Sequence, residues 1–278
     1  MVGMGREKIT LTGTQETMLA TLYGRALDSA LPRPILGDAV SAEAVRRIDY
    51  DFRKTGITSA TKSASVTLRA KTLDDWAREF LAANPECTVL HLACGLDTRA
   101  HRLAPPSARW FDVDFPDVVE LRERLLPTPP GDYAMISSSV TDEAWLEQVP
   151  DDRPVLVVFE GLSMYLREED GARLIRRVTE SFPSGELLFD CFSSLGIRAQ
   201  KLIPAVRNSG STLHWGIDDP REIERLHPGL TCVNALRSVA VPGIELLPLP
   251  ARIGLKVFSA IPALRDFGRI MRFRFTSA

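Results

Sequence analysis

The sequence predicts an α/β fold built on a mostly parallel sheet, and three observations carry that expectation. From Cys87 onward, short apolar segments alternate with amphipathic ones, the rhythm of strands and helices wound about a parallel sheet. Val155-Leu156-Val157-Val158-Phe159 is a continuous apolar run, as a strand buried on both faces requires. The segment from Val89 to Arg99 (Val-Leu-His-Leu-Ala-Cys-Gly-Leu-Asp-Thr-Arg) reads as a strand, a small-residue turn and a helix start. That arrangement brings backbone N–H groups close to a cofactor.

Taken in order, residues 14–83 read as helical. Met18, Leu19, Leu22, Ala26 and Leu27 form one stripe, and Thr12 and Gln15 have the spacing of a capping box. Leu31-Pro32-Arg33-Pro34 breaks that helix. A longer one follows, with Val66, Ala70, Leu73, Ala77 and Phe80 on one face and Asn84-Pro85 as its stop. Strands are expected at 87–93, 109–114, 133–138, 154–160 and 185–191, and helices at 97–104, 117–126, 142–148 and 168–181. Residues 192–228 lose the rhythm and read as a helical insertion or lid carrying His214 and Trp215. Two more strands are expected at about 231–240 and 269–276, joined by a loop containing Pro242, Gly243, Pro248, Pro250 and Gly254. The chain thus divides into an N-terminal helical extension, 1–85, and a cofactor-binding α/β unit, 86–278, with its lid at about 192–228.

Of the 278 residues, 45% are hydrophobic, enough for a substantial core. Lys+Arg 34 against Asp+Glu 36 gives a net charge of −2, which offers no electrostatic case for nucleic acid or an anionic membrane. Cys87, Cys94, Cys191 and Cys232 form no CxxC pair and read as free thiols of a reducing compartment. No apolar run approaches the ~18 residues of a membrane span, and the first residues lack the apolar core of a signal peptide. The expectation is a cytoplasmic protein with a small-molecule substrate. His91, His101, His214 and His227 have no metal-ligand spacing.

Several residues are candidates for chemistry. Gly95 can adopt positive φ and let a cofactor approach the backbone. Asp112 and Asp114 end the second strand two residues apart, on one face. A carboxylate there accepts from both ribose hydroxyls, or caps the helix after Pro116. Glu160 ends the most apolar strand, where open α/β sheets bind ligands; the alternative is a structural salt bridge. Arg69 borders the apolar stripe of the second helix, either snorkelling or meeting a carboxylate in a bidentate pair. His214, in the lid, is a candidate general base or a surface histidine. Gly161-Leu162-Ser163-Met164-Tyr165 approaches a hydrolase nucleophile elbow, but Tyr165 stands where a small residue is needed.

Five blocks, in order, resemble the leucine carboxyl methyltransferase family of S-adenosylmethionine-dependent enzymes, in particular its bacterial branch of tetracenomycin-type polyketide carboxyl and O-methyltransferases. They are Leu11 to Thr17, Leu68 to Asp75, Leu92 to Arg99, Asp112 to Pro116 and Glu160 to Leu166. The likeness covers about residues 10–195. It implies a class I methyltransferase (Rossmann-like) fold and S-adenosyl-L-methionine as cofactor. By motif, Arg69 would bind the methionyl carboxylate or a substrate carboxylate beside it. Ala93 and Gly95 would shape the cofactor turn, and Asp114 would hold the ribose. Ser139 and Val140 would flank the adenine, Glu160 would line the methionyl end, and Tyr165 would face the substrate. The chain departs from the family at two positions: Ala93 replaces a glycine, and Ser139 an acid found in many members.

The implied reaction is methylation of a carboxylate or hydroxyl of a small, polyketide-like metabolite. A carboxylate acceptor is ionised near neutral pH and needs no base, whereas an alcohol or phenol does. Tyr165 and His214 are the catalytic candidates. Two other readings stand beside it: a binding protein or non-methylating catalyst that keeps the cofactor as scaffold, and a nicotinamide-dependent oxidoreductase. The latter is disfavoured because the turn lacks the third glycine of its fingerprint.

Overall fold

The computed structural model describes residues 7–9, 14–105, 107–247 and 249–276. Ahead of the main sheet come a two-residue parallel pair, β1 (Glu7–Lys8) with β2 (Ile48–Asp49), and three helices, α1 (Thr14–Ser29), α2 (Ala39–Arg47) and α3 (Ala60–Ala83). The capping box rests on Thr12, outside the described residues. Where α1 stops, buried Asp28 accepts from the N–H groups of Ile35, Leu36 and Gly37 at 2.8–3.1 Å, which fixes the proline-containing bend. Asp38 caps α2 through Ser41 N (3.0 Å), and Asn84 ends α3 as expected. The break expected at Leu31–Pro34 is present, and the helical stretch expected after it is interrupted again at 48–59, where β2 and a short 3-10 turn at Phe52–Thr55 intervene.

The sheet strands are β3 (Thr88–Leu92), β4 (Arg109–Asp114), β5 (Asp132–Ser137), β6 (Val155–Phe159), β7 (Ser184–Phe192), β8 (Thr231–Arg237) and β9 (Gly268–Thr276). Their spatial order is β5-β4-β3-β6-β7-β9-β8. The first five are parallel, and β9 runs antiparallel between β7 and β8. The expected closing strand pair therefore forms. Strand order reverses between β3 and β6, and open α/β sheets bind ligands at the carboxyl ends of strands at such a point.

The helices of this part are α4 (Arg99–Leu103), α5 (Pro116–Leu125), α6 (Glu168–Ser181), α7 (Ser194–Arg198), α8 (Pro204–Ser209), α9 (Arg221–Glu224), α10 (Leu249–Ala260) and α11 (Pro262–Arg265). Alternate strand residues feed two cores. Leu90, Val157, Phe159, Phe189 and Phe273 pack against Leu174 and Val178 of α6, with Phe159 and Phe189 stacked at 4.6 Å. On the other face, Val89, Leu156, Val158 and Leu188 pack against Leu73, Ala77 and Phe80 of α3. Leu19 and Leu22 of α1 form a third cluster with Leu96, Leu121 and Leu125, so the leading helices cover the end of the sheet where the strand order reverses.

Two expectations are corrected. The helix at 142–148 is only a turn and a single 3-10 turn, Leu146–Gln148. Trp145 there is fully buried, and its Nε1 donates to Val140 O (3.2 Å), while Pro150 stops further winding. Conversely, the loop before the last strand contains α10. Pro250 sits in its first turn, where no N–H is needed, and Gly254 faces open space. Leu249, Ile253 and Val257 recur at helical spacing and lie exposed on α10, but Pro250 and Gly254 among them read as loop.

The lid expected at 192–228 is only partly one. Ile203 and Val206 reach a cavity above the strand ends, while Trp215, Ile217 and Ile223 are buried in the core beside α6. Among the described residues no helix is long and apolar enough to cross a membrane. All four cysteines are free.

Candidate active site

The turn after β3 is the pivot of the site. Ala93 has φ +48° and Gly95 φ +50°. Both are left-handed, a conformation glycine adopts freely and alanine only at some cost. Ala93, where the family resemblance implies a glycine, is thus a strained residue in this turn. Gly95 N donates to Asp114 Oδ2 (2.6 Å), and Arg122 of α5 donates to Gly95 O (2.6 Å) and Asp97 O (2.8 Å). Met18 of α1 lies 3.2 Å from where a Gly95 Cβ would stand, so α1 covers the turn.

A cavity of about 820 Å³ opens beside this turn. Its lining includes Arg69, Ala93, Gly95, Asp114, Ser139, Val140, Glu160 and Tyr165, so eight of the sequence candidates meet in one place. His214 does not join them. Its side chain is exposed and its N–H donates to Met164 O (2.8 Å), because Leu213 and Trp215 on either side are drawn into the interior and turn it outward. The general-base candidacy of His214 is corrected accordingly.

Asp112 and Asp114, two residues apart, have separate environments. Asp112 is fully buried, accepting from Arg122 Nη2 (2.5 Å), Trp110 Nε1 (2.8 Å) and Tyr133 Oη (2.8 Å). Burial raises its pKa, but Arg122 and His91 outweigh this and hold it below the usual range. Asp114 reaches the cavity. Burial raises its pKa, and the N–H groups of Gly95 and Phe115 offset only part of that. Ser139 is turned onto its own loop, with Oγ 2.8 Å from Thr141 Oγ1.

Glu160 anchors a buried charge network. Arg69 Nε (3.1 Å) and Arg99 Nη2 (2.6 Å) donate to it, with Arg25 Nη2 at 3.5 Å. Burial pushes its carboxyl up, yet these guanidinium groups hold it at about 2. Arg99, wholly buried, also binds Asp74 of α3 (2.7 Å), and Arg102 joins Asp74 to Asp38 (2.8 Å). Arg69 Nη1 donates to Asp190 Oδ2 (2.8 Å) at the end of β7. Gly161 N donates to Asp190 Oδ1 (2.6 Å), and Ser163 Oγ donates to Asp190 O (2.6 Å), so Ser163 is no nucleophile. Burial keeps the Asp190 pKa raised, only partly opposed by Arg69. Burial likewise raises that of Tyr165, a half-buried phenol hydrogen-bonded to Thr17.

Two of these residues went unread in the sequence. Asp190 carries the same signal as Glu160, an acid closing an apolar strand. Arg25 carries the same signal as Arg69, an arginine bordering a helical stripe. Arg25 is 2% exposed and lines the cavity, and its Nε and Nη1 have no partner among the described residues. Unpaired buried donors, carboxylates at two strand ends and a left-handed glycine turn are what a nucleoside with a charged amino-acid tail requires. The residues present therefore fit S-adenosylmethionine.

The comparisons with known proteins agree. The family model for leucine carboxyl methyltransferase matches residues 19–179. The chain is 48% identical over 272 residues to the tetracenomycin polyketide synthesis O-methyltransferase TcmP of Streptomyces glaucescens, covering 97% of this chain and 99% of TcmP. It is 38% identical to the S-adenosyl-L-methionine-dependent methyltransferase dpfgK of Gibberella zeae, covering 82% of this chain and 83% of dpfgK. Among solved structures, a DUF574 family protein from Streptomyces avermitilis superimposes with a TM-score of 0.61 at 17% identity, covering 95% of this chain and 98% of that one. That likeness bears on the fold alone, a mostly parallel, Rossmann-like class I sheet. These matches set aside the nicotinamide reading: the chain belongs to the leucine carboxyl methyltransferase family, and is an S-adenosylmethionine-dependent methyltransferase.

Proposed function

We propose that the protein transfers a methyl group to a carboxylate oxygen of an apolar, polyketide-like acid. The observation that carries this reading is the scarcity of bases in a cavity with an apolar wall. Val66, Phe192, Ile203 and Val206 suit a ring system, and TcmP is named for tetracenomycin polyketide synthesis. Among the described lining residues His91 is the sole imidazole. Arg99 Nη1 can only donate, so His91 Nε2 accepts from it (3.3 Å), and Nδ1 carries the proton shared with Asp112 (3.0 Å). Tyr165, with its raised pKa, is a hydrogen-bond donor rather than a base at neutral pH.

Bound S-adenosylmethionine supplies an already activated methyl group. The chain's part is then to bind, orient and exclude water. In this reading Asp114 holds the ribose, and Ala93 and Gly95 offer backbone along the tail. Ser139 and Val140 border the adenine, the latter as an apolar surface. Glu160 lies at the methionyl end. Tyr165 donates to the acceptor, and Lys62, an exposed cation on the cavity wall, attracts a carboxylate.

A hydroxyl acceptor is the second reading, favoured by Asp190, a cavity carboxylate with a raised pKa. Paired acceptors separate the two. An aromatic polyketide carboxylic acid should be methylated with kcat/KM nearly flat from about pH 6 to 9, since its carboxyl is ionised throughout. Its phenolic counterpart should be a poor substrate whose rate climbs with pH. Preference for the phenol would overturn the carboxylate assignment.

A further inference from the structure

Among the described residues, seven of the nine large apolar side chains left exposed fall in two stretches of the chain. Leu195 and Leu202 lie within 191–217, and Leu246, Leu249, Ile253, Val257 and Ile261 within 246–265. Neither stretch contains an acid, although the whole chain carries 36 acids against 34 lysines and arginines. The two stretches adjoin through Phe267. Its ring meets Phe258 of α10 (6.4 Å between centroids) and Phe192 (5.5 Å), and its carbonyl accepts from Ser193 N (3.0 Å) at the start of α7. Helix α10 is apolar on two opposite sides. Ala251 and Leu255 pack against the core beneath α3, and Phe258 meets Phe267, one stripe at helical spacing. Leu249, Ile253 and Val257 form the opposite stripe, which is exposed. A helix apolar on both sides is the kind covered on both sides.

Charge says what the cover is. Arg252 and Lys256 border the outer stripe of α10, and Arg198, Lys201 and Arg207 are exposed on the adjoining stretch. None of these five has an ion-pair partner among the described residues, whereas Arg46, Arg78 and Arg124 elsewhere on the surface pair with Glu43, Asp75 and Glu7. Of the acids that border the two stretches, Asp266 is held by Arg237, Arg265 and Arg269, Asp218 accepts from Ser194 N (2.9 Å), Asp190 belongs to the site and Glu245 is exposed. The cover is therefore apolar and negative. A second copy on a two-fold axis would set Arg252 and Lys256 against themselves. An anionic bilayer supplies both properties: apolar side chains enter the headgroup boundary while basic heads stay among the phosphates. We infer that α10 and the adjoining residues 195–207 form a docking face for an anionic lipid surface. Ile203 and Val206 of the cavity wall sit between Leu202 and Arg207 in that face, so an apolar acid dissolved in the bilayer meets the cavity there.

Sedimentation of the full chain with vesicles tests this. Vesicles of phosphatidylglycerol and phosphatidylcholine in equal parts should carry the parent down, and pure phosphatidylcholine vesicles should bind it at least about 10-fold more weakly. Arg252→Gln with Lys256→Gln should weaken anionic binding by about fivefold per charge removed. Ile253→Ser with Val257→Ser should weaken it by about 10-fold or more, and Leu202→Ser should weaken it as well. All five side chains are exposed and lie outside the cavity lining, so S-adenosylhomocysteine affinity and melting temperature should stay those of the parent. Should the apolar double variant fail to fold, the charge pair decides. A parent that ignores anionic vesicles would overturn the inference, as would equal binding to the two vesicle types or unchanged binding in either double variant. Unchanged binding in Leu202→Ser would overturn the joint face. Light scattering on the same samples tests the rival occupant: a parent dimer that binds no vesicles and that these variants dissociate would give the face to a second copy. Methylation of a soluble acid needs no vesicle, so failure here would leave the proposed acceptor standing, and failure of that acceptor would leave vesicle binding intact.

Discussion

Asp114 shows how one carboxylate serves both fold and site. Its Oδ2 fixes the Gly95 turn and its Oδ1 takes Phe115 N (2.8 Å), leaving the remaining lone pairs toward the cavity. Asparagine keeps one acceptor and loses the charge. Asp114→Asn is expected to weaken S-adenosylhomocysteine binding about 10-fold or more, the value of one charge-assisted hydrogen bond, and to lower the melting temperature, since its NH2 must face the N–H of Gly95 or Phe115. Calorimetry beside a thermal melt checks it, and unchanged affinity would remove Asp114 from the ribose. At this scale the sequence was legible where an acid or glycine sits at a strand end, because topology alone delivers it to the site. It was illegible for His214, whose direction depends on the burial of its neighbours. It was also illegible for Asp112, whose partners Arg122 and Tyr133 lie on two other elements.

Elements with clean periodicity were readable to the residue: β4 at 109–114 and α6 at 168–181 were expected with those bounds. Helix α10 was not, since Pro250 and Gly254 within it read as loop. The 192–228 segment was half readable, because sequence does not say which of its apolar residues face the cavity and which the core. Its seat on α6 is testable at Gly171. A Cβ there would lie 2.1 Å from Trp215. Gly171→Ala gains helix propensity worth about 1 kcal/mol but forces the indole to move, and overpacking typically costs about 1–3 kcal/mol. The expected outcome is a net loss of up to about 2 kcal/mol, seen as a lower denaturant midpoint with an unchanged slope. A stabilised variant would mean that Trp215 is not held against α6.

Across the whole molecule, the charge network joins α1, α2, α3 and α4 to the ends of β6 and β7, so the leading helices and the sheet share one electrostatic core. Its pH behaviour follows from the signs. Asp38, Asp97, Asp112 and Glu160 titrate below their unfolded values of 3.8 for aspartate and 4.5 for glutamate. Their stabilisation is therefore complete above about pH 4.5 and is lost as pH falls toward about 2, the value for Glu160. Asp114 and Asp190, raised by burial, act oppositely and soften the loss. Melting temperature should fall steeply below pH 4.5 with little contribution from these groups between pH 6 and 8. Glu160→Gln should flatten the acid limb while lowering stability at neutral pH, since three arginines lose a partner. An acid limb identical in parent and variant would exclude Glu160 from it.

The place of β9 has a consequence for biosynthesis. It inserts between two strands that leave the ribosome before it. Once Phe192 has emerged, β7 can pair with β6 on one flank, but its other flank waits for residues 268–276. At about 5–20 residues per second that interval lasts roughly 4–15 s. Throughout it, a nine-residue strand whose interior positions are all buried in the finished fold presents a bare edge, the template on which nascent chains associate. A need for chaperone protection during translation is thus written into the strand order, independently of how stable the completed enzyme is.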